Sequence, residues 1–137
     1  MTDPTDEEPT RVGIGLVGRG GRYLIRVRPE GSAMAGWWEF PGGKCEPGES
    51  PGAATARECR EEIGVGVSVG ELVRRVVHRY PHGLVELHYY RCSIRDADGE
   101  PAAGSGFVWV PARDLPGYRF PGANEAVVAL LAGEASG

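Results

Sequence analysis

The sequence predicts an α/β protein in which a mixed β-sheet is covered by helices on its faces. Three observations support this fold class. Apolar runs typical of strands lie on both sides of one acidic helical segment, and a second helical segment closes the chain. The length of 137 residues suits one domain with a single sizeable core. A layered domain of sheet and helices accommodates this order of elements.

The first two strands are predicted to form a hairpin. The apolar runs VGIGLV and YLIRVR flank GRGG, where glycines supply the positive φ of a tight turn. GIGLVG also matches the dinucleotide-binding pattern GxGxxG, but that pattern requires a helix to begin at its glycines. Here Arg19, Gly20 and Gly21 turn the chain into another strand, so the hairpin is favoured.

The remaining strands and the closing helix follow from composition. WWEF predicts a short strand that ends at Pro41. VSVGELVRRVVHRY, LVELHYYRCSI and FVWV are rich in β-branched and aromatic residues and are separated by PHG and DADGEPAAGSG. NEAVVALLAG predicts a helix that begins near Asn124 and ends before Gly133.

Composition limits the function classes. An acidic disordered tail is predicted over residues 1–10 and a flexible C-terminus over 133–137, which leaves one domain over 11–132. The net charge of −4 argues against a protein that coats nucleic acid. No apolar run approaches the roughly 20 residues that span a membrane, and no signal peptide is visible, so a cytoplasmic location is expected. The three cysteines lack CxxC spacing, which argues against a disulfide framework and a zinc site.

The central helix is predicted to span residues 51–63. Ser50 suits the N-cap, Pro51 suits the first helical position and Gly64 suits the residue after the end. Four residues at helical spacing are predicted to face the core: Ala53, Ala56, Cys59 and Ile63.

Three glutamates of this helix, Glu58, Glu61 and Glu62, fall at i, i+3 and i+4, so their carboxylates converge. A solvated acidic face is the usual explanation of such a pattern. Here Glu61 and Glu62 lie in the last turn, where the helix dipole disfavours negative charge. The glycine-rich segment before the helix can also turn a carbonyl, such as that of Gly43, towards the cluster. Oxygen ligands without histidine or thiolate indicate Mg²⁺ or Mn²⁺, and such metals neutralise phosphoryl oxygens during hydrolysis.

Gly43, Glu49 and the run RECREEIGV fit the pattern GX5EX7REUXEEXGU at every fixed position, and this pattern resembles the box of the Nudix hydrolase family. The soft departure is Cys59, where a bulky aliphatic residue is usual. WEFPGGK, YPHG and FPGANEAVVALL further resemble the MutT-type branch of 8-oxo-dGTP diphosphatases. The resemblance implies a Nudix-fold α/β/α sandwich with a mixed sheet. It also implies Mg²⁺-dependent cleavage of a nucleoside triphosphate, such as 8-oxo-dGTP, to the monophosphate and pyrophosphate.

The same resemblance implies roles for individual residues. The implied catalytic residues are Glu58, Glu61 and Arg57, with Arg57 orienting Glu58. The implied metal ligands are Gly43, Glu58, Glu61 and Glu62. The implied substrate-binding residues are Lys44 near the phosphates and Asn124, Arg28 and Phe40 around the base. Asn124 suits a helix N-cap equally well, and one side chain can serve both purposes.

One departure from the resembling enzymes concerns the loop before the Trp109 strand, where they place a further glutamate. Here the loop is PAAGSGF and has no acid near Ala103, so Glu58 or another carboxylate serves as base, or fewer metals bind.

CTP, ADP-ribose and dinucleoside polyphosphates stay open as substrates of a nucleotide-binding enzyme. A Nudix-fold binding module without catalysis is the alternative from another class. The sequence does not determine whether the oligomeric state is a monomer or a homodimer.

Overall fold

The computed structural model describes residues 8–136, and within that range seven strands form one sheet and two α-helices pack on it. The strands are β1 (Thr10–Arg19), β2 (Arg22–Val27), β3 (Trp38–Glu39), β4 (Gly42–Lys44), β5 (Val67–Tyr80), β6 (Gly83–Ile94) and β7 (Val108–Pro111). The helices are α1 (Pro51–Ile63) and α2 (Glu125–Ser136), and two short 3-10 helices, Ala112–Gly117 and Gly122–Asn124, connect β7 to α2. Neither α-helix of this described part is long and apolar enough to cross a membrane.

The sheet is mixed, as the sequence predicts. Its main path runs β3, β2, β1, β6, β5, while β4 adds to β1 and β7 adds to β2. The β1 and β6 strands pair in parallel, and the other pairs are antiparallel. Because β1 joins both halves of the sheet, its position sets the place of every other strand.

The two helices cover opposite faces of the sheet. On β1, Leu16 packs in the same buried cluster as Leu131 of α2. The next residue, Val17, packs in the second cluster with Ile63 of α1. Successive residues of a strand point to opposite faces, so the two clusters are separate layers. The structure therefore confirms the α/β/α sandwich.

The hairpin between β1 and β2 is also confirmed. Gly20 and Gly21 have φ of 59° and 77°, the left-handed region that glycine adopts without steric cost. Gly13 and Gly15, which belong to the GxGxxG pattern, lie inside β1 and begin no helix. The dinucleotide-binding explanation is thereby excluded.

Gly13 and Gly15 have a different purpose, which is to let α1 approach β1 closely. A Cβ atom on Gly13 would lie 2.3 Å from the carbonyl oxygen of Pro51. A Cβ atom on Gly15 would lie 2.6 Å from the sulfur of Cys59. Since such distances are far inside van der Waals contact, any larger residue would push α1 away from the sheet.

The bounds and caps of α1 agree with the prediction. The Ser50 hydroxyl accepts a hydrogen bond of 3.1 Å from the Ala53 N–H. Gly64 ends the helix with φ of 88°, and its N–H donates to the Arg60 carbonyl. The sequence signals for starting and ending this helix were sufficient because both ends are satisfied locally.

The predicted core face of α1 was partly wrong. Cys59 and Ile63 are buried, but Ala53 is exposed and Ala56 is half-buried. Thr55 is buried in their place, because its hydroxyl donates a 2.8 Å hydrogen bond to the Pro51 carbonyl and so is satisfied without water. The buried residues of the helix are Pro51, Ala54, Thr55, Cys59 and Ile63.

The predicted end regions also need correction. Strand β1 already includes Thr10, which pairs with Val85, and residues 1–7 of the predicted tail lie outside the described range. Helix α2 continues through Gly133 to Ser136 instead of ending before it. Arg91 on β6 donates a 2.8 Å hydrogen bond to Glu134. This ion pair holds the last turn of α2 against the sheet and offsets the poor helix propensity of glycine.

A matched pair of glycine variants tests the close approach of α1. Gly13→Ala should lower the free energy of unfolding by about 1–3 kcal/mol, because the new methyl group overlaps Pro51 and Thr55. Gly133→Ala, at an exposed helical position with open space around it, should raise that free energy by up to about 1 kcal/mol. Urea unfolding measures both. Equal stability of the two variants would contradict the proposed packing.

Candidate active site

The Arg57 guanidinium organises the acidic residues at the start of the site. It makes two parallel hydrogen bonds to Glu49, each of 2.9 Å, and a third of 2.9 Å to Oε1 of Glu58. It also donates to the Lys44 carbonyl at 3.1 Å. The hydrogen bonds from Arg57 lower the pKa of Glu49 to about 2. Arg57 thus fixes Glu58 and ties α1 to the end of β4.

Glu58 lies directly against the backbone of β4. A Cβ atom on Gly43 would fall 2.4 Å from the carboxyl carbon of Glu58, so a side chain at this position would displace the Glu58 carboxylate. The position of Gly43 is set by its pairing with Gly13 on β1. The structure therefore brings together Gly43, Glu58 and Arg57, which the sequence places up to 15 residues apart.

Glu61 and Glu62 differ in their surroundings. The side chain of Glu61 is 59% exposed and lies 3.5 Å from Arg57. Glu62 is mostly buried; one carboxylate oxygen accepts a 2.8 Å hydrogen bond from the Gly42 N–H and the other pairs with Arg26. Burial raises the pKa of Glu62 to about 7, although the Gly42 N–H and the charge of Arg26 act in the opposite direction. Glu62 therefore points to β2 and β4.

The donor set is the kind that Mg²⁺ prefers, since it consists of carboxylate and carbonyl oxygens. Gly43 has no side chain, and the Glu58 carboxylate occupies the space that a side chain would take, so the two residues are in direct contact. Among residues 8–136, however, no three acidic, histidine or cysteine side chains are gathered as metal ligands. Glu58 and Glu62 are paired with arginines instead. The residues fit a hard cation by chemistry, and the metal-ligand roles stay a prediction.

A cavity of about 610 Å³ lies beside the acidic cluster. All four residues that the sequence predicts as substrate-binding line it: Arg28, Phe40, Lys44 and Asn124. Gly43 and Lys44 belong both to its lining and to the contacts of Glu58 and Arg57. The cavity and the carboxylates therefore form one continuous site.

Phe40 and Asn124 are held rigidly in the cavity wall. Phe40 is 5% exposed and stacks on Phe120, with ring centroids 5.0 Å apart. The Asn124 amide oxygen accepts a 2.8 Å hydrogen bond from the Tyr89 hydroxyl. Its amide nitrogen donates to the Pro121 carbonyl at 3.2 Å. Asn124 directly precedes α2, and these two bonds fix the orientation of its amide.

Arg28 shapes the loop between β2 and β3. Its Nε donates to the Ala33 carbonyl at 2.8 Å, and another guanidinium nitrogen donates to Glu39 at 2.9 Å. Met34, in the same loop, has φ of 59° and lines the cavity. Such a conformation is uncommon for a residue with a side chain and marks a backbone that the surrounding contacts determine.

Several lining or neighbouring residues were not among the predicted site residues. Tyr80 and His82 line the cavity, and their rings stack 5.3 Å apart at the β5–β6 turn. Arg26 and Glu39 pair directly across β2 and β3. The opposite charges of these two residues, in two predicted neighbouring strands, were the available signal for this ion pair.

The loop before β7, which has no acid near Ala103, is held by contacts at both of its ends. Glu100, at the start of that loop, accepts hydrogen bonds from the Trp109 indole at 3.0 Å and from Arg19 at 2.9 Å. Arg26 lies over the ring of Phe107, at the end of the loop, 4.7 Å from its centroid. The positively charged guanidinium of Arg26, which belongs to β2, therefore contacts the end of this loop at Phe107.

The geometry can be compared with known proteins. A family model described as "NUDIX domain" matches residues 13–130. The chain is 33% identical to the 8-oxo-dGTP diphosphatase of Haemophilus influenzae, over 94% of this chain and 96% of that relative. It is 37% identical to the CTP pyrophosphohydrolase of Escherichia coli, over 64% of this chain and 78% of that relative.

The fold comparison agrees. The solution structure of the E. coli ORF135 protein superposes with a TM-score of 0.77 at 32% identity, covering 94% of this chain and 93% of that one. Within the matched segment lie β4, the acidic face of α1 and all lining residues of the cavity except Val12. With its glycine-packed acidic helix and adjoining cavity, this chain belongs to the Nudix hydrolase family.

Proposed function

We propose that this protein hydrolyses nucleoside triphosphates, normal or oxidised, to the monophosphate and pyrophosphate with the help of Mg²⁺. The observation that carries the proposal is the sharing of Gly43 and Lys44 between the cavity and the acidic cluster. A base held in the cavity would place its phosphates next to the carboxylates. Relatives named as acting on 8-oxo-dGTP and on CTP support a triphosphate substrate.

The chain's own residues supply binding and proton transfer. Lys44 is exposed at the cavity and offers a cation to the phosphates. Arg57 holds one oxygen of Glu58, which orients the carboxylate to take a proton from the attacking water. Water adds to phosphorus, and a phosphoanhydride bond breaks with pyrophosphate as a product. A divalent metal, which Nudix hydrolases generally use, supplies neutralisation of the phosphoryl charge when bound.

Base recognition is assigned to the walls of the cavity. Phe40 offers an apolar surface for a base, and Asn124 offers an amide at the edge. An amide has both a donor and an acceptor, so it suits purines and pyrimidines alike. The CTP-directed relative therefore makes CTP the second candidate substrate. A cytoplasmic location stays a prediction of the sequence.

A nucleotide panel tests the substrate class. The purified protein with Mg²⁺ is assayed for pyrophosphate release from the normal nucleoside triphosphates and from 8-oxo-dGTP. We expect turnover of at least one triphosphate and loss of turnover when EDTA removes the metal. Hydrolysis of ADP-ribose or dinucleoside polyphosphates alone would overturn the substrate assignment.

Glu58→Gln tests the acidic cluster. The substitution keeps the shape but removes the charge and the proton-accepting group, so kcat should fall by about 10²-fold or more. Glu46→Gln is the matched control, because the Glu46 side chain is 66% exposed and lies 3.8 Å from Arg57. Its kcat should stay within about twofold of the wild type. Comparable kcat for the two variants would show that Glu58 has no part in the reaction.

Tyr89→Phe tests the fixed amide in the cavity wall. Loss of the hydroxyl removes one of the two bonds to Asn124, so KM should rise about fivefold while kcat changes little, as expected for one neutral hydrogen bond. Steady-state kinetics on the preferred triphosphate measure the effect. Tyr23→Phe, on β2 and outside this cavity, is the control. An unchanged KM in Tyr89→Phe would show that the orientation of Asn124 does not affect binding.

A further inference from the structure

Arg26 links Glu62, in the candidate metal site, to Glu39 on β3. From β2, its Nε donates a 2.8 Å hydrogen bond to Glu39, and its guanidinium pairs with Glu62 on α1. The same guanidinium lies over the ring of Phe107, and the side chain is 21% exposed. Because the group is largely shielded from water, its attraction to the two carboxylates is weakly screened.

Both oxygens of the Glu62 carboxylate accept a hydrogen bond in this arrangement. One oxygen accepts from the Gly42 N–H and the other from Arg26, and its side chain is 17% exposed. By contrast, the structure ties Glu58 to Arg57 through Oε1, and Glu61 is mostly exposed. A divalent cation that binds the Glu62 oxygen paired with Arg26 would lie close to the guanidinium, and the two positive charges would repel each other. The guanidinium and the metal therefore compete for one carboxylate.

We propose that Arg26 is a positioning residue that pairs with Glu62 and competes with the divalent metal for this carboxylate. This inference rests on the proposed function in one respect, namely that Glu62 is a metal ligand. Binding of a divalent cation to Glu62 would then require this carboxylate to exchange Arg26 for the metal as its partner.

Glu39 makes this exchange feasible. Its two carboxylate oxygens accept from Arg26 and from Arg28 at 2.8 and 2.9 Å. When Glu62 leaves, the Arg26 charge still has Glu39 as its partner, so no buried charge is left unpaired. Arg28, the other partner of Glu39, lines the nucleotide cavity and, within the described residues, makes no hydrogen bond with Glu62.

The test measures Mn²⁺ binding to the nucleotide-free protein by electron paramagnetic resonance. Arg26→Gln should lower the Kd for Mn²⁺ by about tenfold, since it removes a charge-assisted competitor of the metal. A double-mutant cycle with Glu62→Gln shows whether the effect passes through Glu62. In the Glu62→Gln background, Arg26→Gln should leave the Mn²⁺ Kd unchanged within about twofold.

Two further variants complete the design. Arg28→Gln removes another guanidinium bound to Glu39 but leaves the Arg26–Glu62 pair, so its Mn²⁺ Kd should stay near the wild-type value. Arg26→Lys keeps the charge and loses the fork that spans two carboxylates, so its Kd should lie between those of the wild type and Arg26→Gln. If thermal unfolding shows that Arg26→Gln does not fold, Arg26→Lys carries the test.

Several outcomes would overturn the inference. The first is an unchanged or weaker Mn²⁺ affinity in the Arg26 variants. The second is a gain in Mn²⁺ affinity of the same size in Arg28→Gln, or from Arg26→Gln in the Glu62→Gln background. The third is that no variant binds Mn²⁺. The pyrophosphate assay separates this inference from the proposed function. Triphosphate turnover with no Arg26 effect on the Mn²⁺ Kd refutes the inference alone. The expected Mn²⁺ response without triphosphate turnover refutes the substrate proposal alone.

Discussion

Helix α1 lies so close to β1 that neither Gly13 nor Gly15 has room for a side chain. This contact fixes the height of the helix above the sheet. The pairing of Gly13 with Gly43 then places β4 beside the same helix, and Glu58 comes to lie on the β4 backbone. The close packing of α1 on the glycines of β1 thus determines where the carboxylates on another face of the helix lie.

Arginines balance the negative charge that this packing concentrates. Arg57 serves the N-terminal side of the cluster through Glu49 and Glu58, and Arg26 serves Glu62. Glu49, Glu58 and Glu62 thereby each have a cationic partner, which helps the helix to tolerate acids near its C-terminus. The site is built from residues of β2, β4 and α1, so its charge balance depends on tertiary structure and not on helical spacing alone.

The sequence predicted the elements whose signals are local. Ser50 and Gly64 bounded α1 correctly, and the glycine turn defined the first hairpin, because caps and turns are set by a few neighbouring residues. Thr55 could not be foreseen as buried, since its hydroxyl is satisfied by a backbone carbonyl that only the folded helix provides. The extension of α2 past Gly133 depends on a contact with a distant strand.

The same distinction applies to the site. The residues predicted to bind substrate do line one cavity, because the resemblance carried their order and spacing along the chain. The pair of Glu39 with Arg26 had a signal in the opposite charges of two neighbouring strands, whereas its bond to Arg28 depends on the loop after β2 and could not be foreseen. Met34 was also missed, because its left-handed backbone is imposed by loop contacts and leaves no compositional signal.

The two bonds to the Asn124 amide have a consequence for selectivity. The Pro121 carbonyl can only accept a hydrogen bond, so it must face the amide nitrogen, and the Tyr89 hydroxyl donates to the amide oxygen. A rotation of the amide by half a turn would set two oxygens against each other. The donor and acceptor therefore have a permanent order along the cavity wall. If Asn124 faces the base as proposed, a nucleobase whose edge presents the opposite order would meet repulsion, and bases would be discriminated before any chemistry on the phosphates.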